Sequence, residues 1–152
     1  MFELDTVATF IAGLSISGVT VLDYSDLTAS MAGRDGPTLY PNVAADVVVQ
    51  NLTRDTVGGG TVALQTLEYG IPYRLLYAEL GTERDLSDVI PGEITVMKAI
   101  FTALVQNDTP VLGGSSVDLK IDNVRLGGTV ADLAARPFHG VDFVLRVMEF
   151  IN

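Results

Sequence analysis

The stretch that most constrains this chain runs from Phe138 to Ile151, FHGVDFVLRVMEFI, and only Asn152 follows it. It is dense in β-branched, aromatic and aliphatic residues, the composition of a well-paired strand. Chain ends fray unless a sheet ties them down, so this strand is expected to be built into the core. A fold that depends on such a strand must bring distant segments to it, and the rest of the chain is read for those partners.

Composition bounds the answer. The 152 residues suit one domain, 1–152, long enough to bury a core without staples. Hydrophobic residues make up 48% and charged residues 18%, so disorder is excluded and the surface must be poor in charge. Some of the apolar excess is expected in subunit contacts. No window approaches the ~18 uninterrupted apolar residues of a membrane span. Met1-Phe2-Glu3-Leu4-Asp5 lacks a basic leader, so the expected compartment is the cytoplasm or a particle assembled there. The absence of cysteine removes disulfides, thiolate chemistry and the usual structural zinc sites.

The formal net charge is −10, and seven of the nine basic residues are arginines scattered singly along the chain. Nucleic-acid binders concentrate cations to displace counterions, and no such cluster exists here. An acidic surface facing DNA would instead let it pass without sticking.

Along the chain, Leu4, Val7, Phe10, Ile11 and Leu14 recur at helical spacing from Glu3 to Ser15, and Val19 to Leu22 reads as a short strand. Ser25 to Asn42 reads as irregular, with Gly33, Gly36, Pro37 and Pro41 spacing out Met31, Leu39 and Tyr40. Irregular stretches of that length usually bind something. Ala45–Leu52 and Val62–Tyr69 predict a hairpin across Gly58-Gly59-Gly60. Gly70-Ile71-Pro72 reads as a break before a central strand over Tyr73–Leu80, and Gly81–Asp88 as a second polar loop. A helix is predicted with Pro91 in its first turn and Ile94, Met97, Phe101 and Leu104 as its core face. Val117–Asp122 alternates as a half-exposed strand, with Asp118 and Asp122 flanking Lys120 in a neutralised row. Gly127-Gly128 reads as a turn, and Thr129–Arg136 as a helical or irregular excursion. The expected fold is α+β: one twisted, mostly antiparallel sheet packed by two amphipathic helices, with long inter-strand loops.

This order of elements resembles the tail-terminator (tail-completion) proteins of long-tailed bacteriophages. The likeness is carried by the opening helix ending at Gly18-Val19-Thr20-Val21, the Ile94–Val105 helix, Leu112-Gly113-Gly114, and Phe138–Val147. It spans nearly the whole chain by pattern rather than by an invariant motif, and Ser25–Asn42 lies outside it. The resemblance implies a hexameric ring that caps the tail tube, ends its elongation and docks to the head–tail connector, with DNA passing through the lumen unbound. It implies partners in the tube and neck proteins, a place in the virion, and no catalytic residue, metal or cofactor. Arg84, Asp85 and Leu86 in one long loop, and Met31, Leu39 and Tyr40 in the other, are the expected contact residues, because loops held by a rigid sheet carry recognition.

Chemical alternatives are thinner. His139 is the single histidine, and Asp142 nearby would complete a Ser–His–Asp drawing, but no G-x-S-x-G elbow exists. Glu83, Asp85, Asp88 and Glu93 lack the alternation of a calcium loop and read as a solvated face. Gly58-Gly59-Gly60 lacks the Lys-Ser/Thr of a phosphate loop. Asn51-Leu52-Thr53 and Asn107-Asp108-Thr109 match glycosylation acceptors but follow no secretory signal. The remaining readings are another neck or tail-tube ring protein, a small hydrolase or ligand-binding domain using His139, and an adaptor that pairs a peptide along a sheet edge.

Overall fold

The computed structural model describes residues 4–27, 36–57, 62–80, 86–107, 110–112 and 115–151. In chain order they form α1 (Leu4–Ala12), β1 (Thr20–Val21), a 3-10 turn (Tyr24–Asp26), β2 (Thr38–Pro41), β3 (Val48–Val57) and β4 (Val62–Glu79). Then follow α2 (Leu86–Gln106), β5 (Val111–Leu112), β6 (Ser115–Ala131) and β7 (Pro137–Ile151). Among the described residues seven strands make one open sheet in the order β1-β2-β4-β7-β6-β5, with β3 also paired to β4. Of these described pairings only β1–β2 is parallel. The fold class is thus α+β.

The C-terminal strand is central. β7 pairs β4 from Gln65↔Ile151 to Glu79↔Phe138, and pairs β6 along its other side from Ser116↔Phe150 to Ala131↔Pro137. Its side chains alternate between faces as a strand requires. Val141, Phe143, Leu145 and Val147 are buried, while Asp142, Val144, Arg146 and Met148 are half-buried on the other face. The buried set packs with Leu67, Tyr69, Ile71, Tyr73 and Leu75 of β4 beneath Val7 and Ile11 of α1 and Met97, Ile100 and Leu104 of α2. Tyr73 stacks on Phe143 directly across the ladder, ring centroids 5.7 Å apart. Both helices therefore cover one face. The other face carries a smaller cluster at one end, Leu22, Tyr40, Leu76, Val130 and Phe138.

Several expectations change here. Gly70-Ile71-Pro72 does not break the strand; β4 runs through it. Pro72 is tolerated because β4 changes partner there: β3 pairs it up to Gly70 and β2 from Tyr73 onward. The missing N–H of Pro72 falls in that gap, and its carbonyl accepts the Asn42 amide at 2.8 Å. Gly127-Gly128 does not turn the chain either. β6 continues to Ala131 through register shifts at Asp122/Arg125 and Arg125/Gly128, with Asn123 and Gly127 at positive φ. The turn comes later, where Asp132 accepts amide protons from Ala134 and Arg136.

Helix α2 starts at Leu86, ahead of the expected Pro91, which lies inside it. Its buried positions are Val89, Glu93, Met97, Ile100 and Leu104; Ile94 and Phe101, predicted as core, are 37% and 39% exposed. Within Ser25–Asn42, predicted irregular, the 3-10 turn capped by Asp23 and the fully buried strand β2 are ordered structure.

Gly140 sits where β7 crosses Leu76 of β4 and Gly128 of β6. A Cβ there would overlap the Leu75 carbonyl oxygen and the Val130 methyl. Gly140→Ala should cost about 1–3 kcal/mol by overpacking a rigid ladder, read as a lower urea midpoint at unchanged m-value.

Candidate functional site

The six residues expected to make contacts separate into three groups. Met31, Arg84 and Asp85 lie outside the described residues. Leu86 is the first residue of α2. Leu39 and Tyr40 are fully buried in β2, so they hold the sheet together and offer no surface to a partner. Burial pushes the Tyr40 phenol up to about 12, with Arg74 across the ladder pulling the other way.

The histidine reading also changes. His139 and Asp142 are three apart on one strand and so face opposite sides of the sheet. Asp142 is held by Arg74 in a two-pronged pair, Nε to Oδ1 at 2.7 Å and Nη2 to Oδ2 at 2.9 Å, while Arg74 Nη1 donates to the Ala131 carbonyl. Beside it on the open face Arg146 bridges Glu68 at 3.1 Å and Asp122 at 2.5 Å, linking β4, β7 and β6. The Asn123 amide and Arg146 hold the Asp122 carboxyl below its usual range. Solvent screens these partly exposed pairs, so each adds little to stability. Their stronger effect is on register: each joins neighbouring strands in one alignment.

On the helix face His139 lies near Glu93 instead, a juxtaposition with no signal in the sequence. From the sequence Glu93 reads as part of a solvated acidic face. In the fold it is buried against β6, its Oε2 accepting the Gly127 amide at 2.9 Å and its Oε1 without a hydrogen-bond partner. The positive φ of Gly127 presents that amide. A second buried carboxylate, Glu149, accepts the Tyr69 hydroxyl at 2.5 Å. Among the described residues no three His, Asp or Glu side chains gather to hold a metal ion, and no helix is long and apolar enough to cross a membrane. A shallow depression of about 370 Å³ is lined by Asp5, Thr9, Asp23, Tyr24 and Ser25. The Asp23 carboxylate there is engaged in capping Ser25 and Asp26.

Among the described residues, large apolar side chains are exposed on α2, between β2 and β3, and also at Leu80, Val111, Val124, Leu126 and Phe150. On α2, Ile94, Phe101 and Val105 (73% exposed) fall within one stripe, with Lys98 among them. The opposite flank, Val96, Ala99 and Ala103, is half-buried against the core. Where the chain passes from β2 to β3, Val43, Val48 and Val49 are 52%, 55% and 48% exposed near Asp46, Val48 and Val49 on opposite faces of β3. The α2 stripe is hidden in the sequence, because Ile94 and Phe101 share the helical spacing of the core residues.

Burial raises the Glu93 carboxyl above its ordinary 4.5, while Gly127 and His139 oppose the shift. The native state thus keeps a proton that the unfolded chain releases near pH 4.5. The stability this supplies is full below that pH and is lost as pH rises through the folded value. Glu93→Gln keeps an acceptor for Gly127 without the charge. It should lose less stability than the unsubstituted protein between pH 4 and pH 8, because it has no proton to give up; thermal unfolding at both pH values checks this.

No protein-family model matches the chain, and no curated protein matches its sequence.

Proposed function

We propose that the chain is a structural virion protein of a long-tailed bacteriophage: a ring subunit of the tail-terminator type. In this reading six copies cap the finished tail tube, stop its elongation and present a docking face to the head–tail connector. Another ring protein of the neck or tail tube would use the same surfaces.

The observation that carries the proposal is the exposed apolar stripe on α2. Ile94, Phe101 and Val105 are large side chains on a helix that already has a full set of core contacts through its other face. Surface of this kind marks a partner site when it is contiguous. In a chain with 18% charged residues it is also poorly guarded by charge. The α+β class, with one mostly antiparallel sheet and two helices, is the class that the resemblance implies. The formal charge of −10 suits a lumen through which DNA moves without being held.

The test is direct imaging. Electron microscopy of assembled tails should place the protein as a sixfold ring at the head-proximal end of the tube, and native mass spectrometry of released rings should give six copies. A ring of another symmetry on the tail would reject the assignment. Phe101→Asp combined with Val105→Asp should leave the far-ultraviolet circular dichroism unchanged and reduce the yield of head-joined tails at least tenfold, a loss of ~1.4 kcal/mol or more in subunit contact. A normal yield would remove the α2 stripe from the interface.

A further inference from the structure

Two of the exposed apolar segments carry opposite charges, and one chain cannot bring them together. Lys98 lies within the α2 stripe of Ile94, Phe101 and Val105, and Asp46 lies near Val43, Val48 and Val49. Among the described residues neither Lys98 nor Asp46 belongs to an ion pair. Lys98 is one of two lysines in an acidic chain. A lone cation inside an apolar stripe selects a partner surface that is apolar around a single carboxylate.

The separation follows from sheet order. The Val43–Val49 segment borders β4 where β4 changes partner from β2 to β3, while α2 packs over β6 and β7. From β3 to β6 there are three strand steps, β3-β4-β7-β6. At ~4.8 Å per step this is about 14 Å across the sheet, with α2 above one face as well. No side chain spans that.

We propose that the Val43–Val49 segment of one copy docks on the α2 stripe of the next, with Asp46 paired to Lys98 and Val43 and Val48 against Ile94, Phe101 and Val105, while Val49 faces the other side of the sheet. Each copy then offers one donor patch and one acceptor patch. That makes the contact heterologous, the arrangement that closes into a ring when the rotation permits. The ion pair sets direction more than strength: copies with net charge −10 repel one another, and the Lys98 position is where an approaching carboxylate is welcomed. This docking rests on the ring reading above and names the two surfaces that would build it.

The native chain has no cysteine, which makes the contact addressable. Asp46→Cys and Lys98→Cys would be introduced singly and together into the full chain, and treated with a short bis-maleimide, since an ion-pair span exceeds disulfide reach. The double variant should give a ladder of covalent multimers beyond the dimer, and each single variant should stay monomeric on a denaturing gel. Dimers from either single variant, or no ladder from the double, would overturn the docking. Charge exchange supplies the second measurement, by sedimentation velocity across a concentration series. Lys98→Glu and Asp46→Lys should each weaken association at least tenfold, and the two together should restore most of it. Equal association of singles and unsubstituted protein, a double no better than the singles, or an unsubstituted chain that stays monomeric throughout would each refute the pairing. Rings seen on tails without the ladder would leave the ring reading standing and remove this contact. A ladder closing at a number other than six would keep the contact and remove the tail-terminator assignment.

Discussion

The antiparallel ladder between β4 and β7 is the constraint on which the rest of the molecule depends. These strands are distant in sequence, so the loop between them closes only if the pairing and its burial outweigh a large entropic cost. The ladder does this by length and by its inner face, where Leu67, Tyr69, Ile71, Tyr73 and Leu75 meet Val141, Phe143, Leu145 and Val147 with almost no exposed area. Every other element attaches to it. β2 and β3 share the outer edge of β4, β6 lines the free edge of β7, and both helices lie on the one apolar face.

Because both helices lie on that face, the opposite face is stabilised differently. Arg74 with Asp142, and Arg146 with Glu68 and Asp122, replace a second helical layer over the middle of the sheet. The small cluster around Tyr40, Leu76 and Phe138 closes one end. Such pairs add little net stability but penalise a slipped register, since a one-residue shift would point each arginine into the apolar face. Glu93 and Glu149 show the reverse situation: carboxyls inside the apolar face, each met by a hydrogen-bond donor from a neighbouring strand.

Legibility in the sequence follows the range of the physics involved. The terminal strand, the first helix and the β3–β4 hairpin announce themselves through local patterns, and their pairing agrees with those patterns. Pro72 and Gly127 mislead because their local preference is to interrupt, whereas their neighbours in space make them tolerable: a partner change beside Pro72, and a bulge with the Glu93 acceptor beside Gly127. The start expected at Pro91 is too late, but the misassigned core face has another cause, the way α2 packs on β6 and β7. The helix begins at Leu86, and Ile100 rather than Phe101 reaches the core. Leu39 and Tyr40 look like contact-loop residues because glycines and prolines surround them, but their apolar bulk fills the edge beside β4.

The sequence by itself determined that the chain is an α+β protein with its last strand inside, because alternation, apolar density and turn residues act over a few neighbours and need no partner to be read. It also determined the acidic, cysteine-free chemistry within which any function must work. Tertiary structure alone decided which apolar residues are left over. Ile94, Phe101 and Val105 look like Met97, Ile100 and Leu104 in sequence, and only the angle at which α2 meets β6 and β7 divides them into core and surface. That division is a property of packing, since burial depends on what lies across from a side chain and not on the side chain itself.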